Sequence, residues 1–207
     1  FFFKQKTAYE IPKRDWSSDV CSSDLRVTRM TPHEEPAMPA SEADVVSLLS
    51  ELIRIDSVTP WLIPGGAAEA AVQDFMAAWL RRLPGVEVWT EDVAPGRPNL
   101  FARLRGSGGG PSLLINSHAD TVGYANWADR ALVPERRGDR LIGMGAADDK
   151  SSCAIAMLAL RSIVERGVRL RGDLIVATTV YEEGASTGTI HLLERHRPDA
   201  ILVDRKS

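Results

Sequence analysis

Ser117-His118-Ala119-Asp120 places an imidazole and a carboxylate two residues apart, directly after the apolar run Leu113-Leu114-Ile115. Residues two apart in an extended segment project to the same side, so His118 and Asp120 can lie side by side. That pairing suits metal ligation. A metal-bound imidazole usually donates its other N–H to a carboxylate, which fixes the tautomer and raises the basicity of the ligating nitrogen. Taken alone, such a pair is more often a surface histidine near an acid.

Two further groups add carboxylates. Gly143-Met144-Gly145-Ala146-Ala147-Asp148-Asp149-Lys150 stands before a helical pattern, where adjacent acids can simply compensate the helix dipole. The run Gly145 to Lys150-Ser151 is a near miss to a phosphate-binding loop, because Asp149 stands where that loop needs glycine. Two carboxylates repel a phosphate and suit a divalent cation, which excludes the nucleotide reading. Tyr181-Glu182-Glu183-Gly184 follows another apolar run. Consecutive side chains diverge there, so one carboxylate can ligate a metal while its neighbour serves as general base towards a water whose pKa the metal lowers.

The elements that must position these groups follow from apolar spacing. Ser41-Glu42-Ala43-Asp44 is a capping-box pattern, and Val45, Leu48, Leu49, Leu52 and Ile53 continue it as an amphipathic helix. Pro60 to Gly66 reads as a loop, and Ala67 to Leu83 as a second helix. Val86 to Trp89 and Leu100 to Leu104 alternate like half-buried strands. Leu113-Leu114-Ile115 suits a central strand, and Thr121 to Arg140 is a long irregular stretch. Lys150 to Gly167 is a helix with Gly167 as its stop. Leu174 to Ala177 is a buried strand, Thr189 to His196 a short helix, and Ala200 to Val203 a last strand. This alternation predicts an α/β domain: a mainly parallel sheet with helices on both faces. In such a sheet ligands bind beyond the strand ends, where the acids and His118 cluster.

Composition narrows the class. There are 25 Lys and Arg against 28 Asp and Glu, and no basic run suggests nucleic acid or an anionic membrane surface. No apolar run is long enough to span a bilayer. The two ends read as foreign to the fold. Lys4 to Ile11 and Asp15 to Leu25 back-translate to common sequencing-library adapter and primer, and Asp204 to Ser207 to the start of the complementary adapter. Residues 1–25 and 204–207 are therefore set apart. Residues 26–40 read as a loose Pro- and Glu-rich leader containing the candidate starts Met30 and Met38, and 41–203 as the α/β part of the chain, which the resemblance given below makes the truncated N-terminal part of a catalytic domain. Cys21 falls in the adapter-like segment, so Cys153 is the one native cysteine, which excludes an internal disulfide framework and fits a reducing, cytoplasmic setting.

In this order, His-x-Asp after a strand, Gly-x-Gly-x-x-Asp-x-Lys opening a helix and Glu-Glu-Gly after the next strand resemble the two-zinc metallopeptidase family. That family includes acetylornithine deacetylase, succinyl-diaminopimelate desuccinylase, aminoacylase and glutamate carboxypeptidase. The resemblance runs from about Val45 to Val203 and takes in Ile55-Asp56-Ser57, Pro95-Gly96-Arg97-Pro98-Asn99-Leu100 and Trp127.

The resemblance implies that His118 binds one zinc, Asp148 bridges two and Glu183 binds the other; cobalt or manganese are alternatives to zinc. Asp120 would orient His118. Glu182 would be the general base that takes a proton from the attacking water and returns it to the leaving amine. The implied reaction is hydrolysis of an N-acyl amino acid or small peptide. It also implies a cis peptide between Asp148 and Asp149. Met144, Asp149, Ser151 and Ser117 depart from the usual pattern, which has Arg, an apolar residue, Gly and Gly at these places; none of them removes an implied ligand. The family's remaining acidic ligand falls near Asp204, which the adapter explains, so Asp204 is not assigned. A lid or dimerisation domain, through which the parent would form a homodimer, and a last histidine ligand are expected beyond Val203, leaving this chain inactive alone. A non-catalytic relative that binds a small ligand in the same pocket is the alternative, and the presence of Glu182 favours the enzyme.

Overall fold

The computed structural model describes residues 40–124 and 126–203. The adapter-like segments 1–25 and 204–207, the candidate starts Met30 and Met38 and all of the leader except Ala40 lie outside the described residues.

The capping box forms as read. Ser41 Oγ accepts the Asp44 N–H at 3.2 Å, and the Asp44 carboxylate accepts the Ser41 N–H at 2.9 Å. Helix α1 runs from Glu42–Arg54 and buries Leu48, Leu49, Leu52 and Ile53. Helix α2, Ala70–Leu80, is shorter than its apolar pattern suggested. Glu69 at its entrance turns its side chain to an arginine described below.

Strands β1 (Val86–Ala94) and β2 (Arg97–Leu104) are one antiparallel hairpin, turned at Pro95-Gly96 with Gly96 at φ +70°. Pro98 sits where β2 has no partner on its other side, because pairing with the next strand starts at Leu100; a proline is tolerated there. Strand β3 is Leu113–His118. The stretch read as irregular holds a short helix α3 (Ala128–Ala131) and a small hairpin, β4 (Glu135–Arg137) with β5 (Arg140–Ile142). Its strands are mostly exposed, so no alternation of apolar residues announces them. Helix α4 is Lys150–Glu165, and Gly167 follows it at φ +60°. Strand β6 (Leu174–Thr179), helix α5 (Thr187–Arg195) and strand β7 (Ala200–Val203) complete the described part.

The α/β expectation holds, and the sheet is mixed. Its order is β1-β2-β6-β3-β7. The three strands β6, β3 and β7 are parallel, and the β1–β2 hairpin joins antiparallel through β2. A two-residue turn can only return a strand antiparallel, whereas parallel neighbours need a crossover such as α4 or α5. Side-chain alternation divides the core. Leu100, Ala102, Leu174 and Val176 pack with the buried faces of α1, α2 and α4. Phe101 and Ala177, one residue out of phase, face Leu192 of α5 on the other side. Helices therefore cover both faces, and the C-terminal ends of β3 and β6 point the same way, carrying His118 and the residues after Thr179.

Candidate metal centre

His118 ends β3 opposite Thr179 of β6, and its side chain is buried. Its Nε2 lies 2.9 Å from Asp148 Oδ1 and 3.6 Å from Glu182 Oε2. Nδ1 lies 3.1 Å from the main-chain carbonyl of Asp120 and 3.5 Å from its carboxylate. Nδ1 thus has acceptors of its own, leaving Nε2 as the ligating face of a neutral ring. Burial disfavours the imidazolium. The Asp120 hydrogen bond and the charges of Asp120, Asp149 and Glu182 outweigh it and raise the ring's pKa to about 9. Carboxylates gathered in this way also suit a divalent cation.

Asp120 is fully buried and holds the neighbouring loop as well as the imidazole. Its two carboxylate oxygens accept the N–H groups of Glu182 and Glu183, each at 3.0 Å. The Glu182-Glu183 segment is thereby drawn beside His118. One ligating atom each from His118, Glu182 and Glu183 lie within 4.8 Å of one another. With Asp148 on Nε2, this is one imidazole among carboxylates, a donor set that suits zinc and other divalent ions. Asp148 and Glu182 are partly exposed, so the cluster opens on one side. The Asp148–Asp149 peptide is cis, as expected.

Several supports were not assigned from sequence. Glu69, wholly buried, ion-pairs with Arg97 and accepts the Tyr181 N–H at 3.2 Å; its carboxylate raises Arg97 above the ordinary guanidinium range. The Arg97 guanidinium also lies 4.2 Å from the centre of the Tyr181 ring. Buried Asn99 accepts the Val180 N–H at 3.0 Å and donates to the Gly188 carbonyl at 2.8 Å. Gln73 donates to the Thr178 carbonyl at 2.9 Å. These contacts fix the end of β6 and the start of α5, between which Glu182 and Glu183 stand. The run Arg97-Pro98-Asn99 was visible as a motif, but its partners lie far along the chain.

Lys150 turns inward and donates to the Leu52 and Ile55 carbonyls at 2.9 and 2.6 Å. It adds a second donor to the Leu52 carbonyl, which already accepts the Ile55 N–H, and meets the carbonyl of Ile55, the C-cap residue of α1. Burial pushes its pKa down to about 8.

Residues 114–205 match the sequence profile of the family described as Peptidase family M20/M25/M40. That stretch belongs to a domain of that family. An N-formyl-4-amino-5-aminomethyl-2-methylpyrimidine deformylase of Bacillus subtilis is 31% identical over 168 residues, which is 78% of this chain and 38% of that protein. A succinyl-diaminopimelate desuccinylase of Leptothrix cholodnii is 35% identical over 170 residues, 76% of this chain and 42% of that protein. The crystal structure of human carnosine dipeptidase 1 superposes with a TM-score of 0.68 over 79% of this chain and 38% of that one, at 20% identity, a likeness of fold alone. The chain spans about two fifths of the length of the curated relatives it matches. Among the described residues no helix is long and apolar enough to cross a membrane.

Proposed function

We propose that the protein to which this M20-type domain belongs is a metal-dependent amide hydrolase acting on an N-acyl amino acid or small peptide. One observation carries the reading: His118, Glu182 and Glu183 converge beside Asp148 at the C-terminal ends of two parallel strands. The names of the deformylase and desuccinylase relatives support a deacylase.

In this reading His118, Asp148 and Glu183 would hold divalent metal, zinc in the first place. Bound there, the metal supplies Lewis acidity and lowers the pKa of the attacking water. Asp120 keeps Nε2 of His118 turned towards the cluster and the Glu182-Glu183 main chain in place. Glu182 takes the proton from the water on its carboxylate and returns it to the leaving nitrogen as the amide bond breaks. A cytoplasmic location accords with Cys153, which is buried and free.

The test is made on the full-length protein. It should contain zinc after purification and hydrolyse members of a panel of N-acyl amino acids and dipeptides. A metal-free product inert towards the whole panel would overturn the reading.

A further inference from the structure

Three consecutive side chains at the entrance of α4 go three ways. Asp148 reaches His118 Nε2, and Lys150 reaches the end of α1. Asp149, between them, is fully buried, and its Oδ2 accepts the backbone N–H of His118 at 3.0 Å. Asp149 is the N-cap residue of α4, yet its side chain makes no cap hydrogen bond. The commonest use of an aspartate at a helix start is therefore forgone, and the carboxylate is turned towards the metal cluster instead. The resemblance stated above leads to an apolar residue at this place. A neutral acceptor would serve the His118 N–H equally well, and a buried charge is costly unless a compensating charge stands nearby.

We infer that Asp149 is a positioning residue of the metal centre: it clamps the main chain of His118 and sets a buried negative charge behind the imidazole that strengthens cation binding. The inference rests on the proposed metal-dependent function. Asp149 itself does not ligate. Its carboxylate acts through His118, as the outer partners of metal ligands do, whose loss typically weakens metal binding by about 10- to 100-fold.

The experiment is a zinc titration of metal-stripped full-length protein by competition with a chelator, for the wild type and for Asp149→Asn. The asparagine keeps the shape and the acceptor oxygen and removes only the charge. Zinc affinity should fall by about tenfold in a variant that stays folded by circular dichroism. Asp149→Ser, a second neutral acceptor, is titrated in parallel, so that a folding defect in one variant does not decide the matter. Neutral variants that fold and bind zinc as tightly as the wild type would overturn the inference and leave the hydrolase reading standing. A wild type that takes up no zinc would overturn both.

Discussion

Asp120 and Glu182 are joined through the main chain: Oδ1 of the buried aspartate accepts the glutamate's N–H at 3.0 Å, while Oδ2 accepts that of Glu183. One carboxylate thus ties His118, at the end of β3, to Glu182 and Glu183, proposed above as general base and metal ligand. Asp120→Ala leaves both N–H groups without that acceptor, each worth about 1–3 kcal/mol when a buried donor is left unmet. The expected result is a lower melting temperature together with about a 10- to 100-fold loss of zinc affinity. Zinc binding unchanged in Asp120→Ala would contradict the placing role.

Glu182 and Glu183 are adjacent but should fail differently. Glu182→Gln in the full-length protein is expected to lower turnover by about a hundred- to ten-thousand-fold while zinc content stays at the wild-type level. Glu183→Gln is expected to lose zinc as well. Metal analysis beside a turnover assay separates the two. Zinc lost from Glu182→Gln and kept in Glu183→Gln would exchange the assigned roles.

Gly188 at the start of α5 has no room for a side chain. A Cβ there would stand 2.3 Å from the Val180 carbonyl oxygen and 2.7 Å from Asn99 Oδ1. Gly188→Ala must therefore shift the β6–α5 junction that flanks Glu182, at a cost of about 1–3 kcal/mol. Chemical denaturation reads the loss, and an unchanged midpoint would contradict the packing described.

The capping box of α1 gives a pH dependence of definite sign. The Ser41 hydroxyl, then the Ser41 N–H and Arg161, hold the Asp44 carboxyl well below its usual range. A carboxylate whose pKa is depressed by folding stabilises the fold above its ordinary value of about 4 and loses that contribution as pH falls through the folded value. Ser41→Ala should flatten the acid limb of the stability curve. An acid limb identical to wild type would show that the cap contributes nothing.

The cluster was legible because its groups are local in sequence. His118 and Asp120 flank one strand end and Glu182 and Glu183 are neighbours, so residue type and spacing singled them out as candidates, and the structure brings them together. The apolar stripe of α1 was equally plain, since period and burial coincide at Leu48, Leu49, Leu52 and Ile53; in α4 they coincide at Cys153, Ala156 and Leu158, whereas Ile155, on the same apolar reading, is exposed. What escaped depends on distant partners or on exposed strands. Glu69 finds Arg97 across 28 positions, and Lys150 finds Leu52 across 98; neither pairing leaves a mark on its own neighbourhood. Asp149 was weighed as a helix-dipole acid, because its turn towards His118 follows only from how α4 meets β3. The β4–β5 hairpin buries too little to impose an alternating pattern.

The central claim is that His118, Asp148 and Glu183 hold catalytic metal. A crystal structure of the zinc-loaded full-length protein, with anomalous scattering recorded at the zinc edge, tests it most directly. The account predicts zinc bound to His118 Nε2 at about 2.0–2.1 Å and to carboxylate oxygens of Asp148 and Glu183 at about 2.0–2.2 Å. Zinc bound elsewhere, or a fully loaded protein with no anomalous peak at His118, would contradict it.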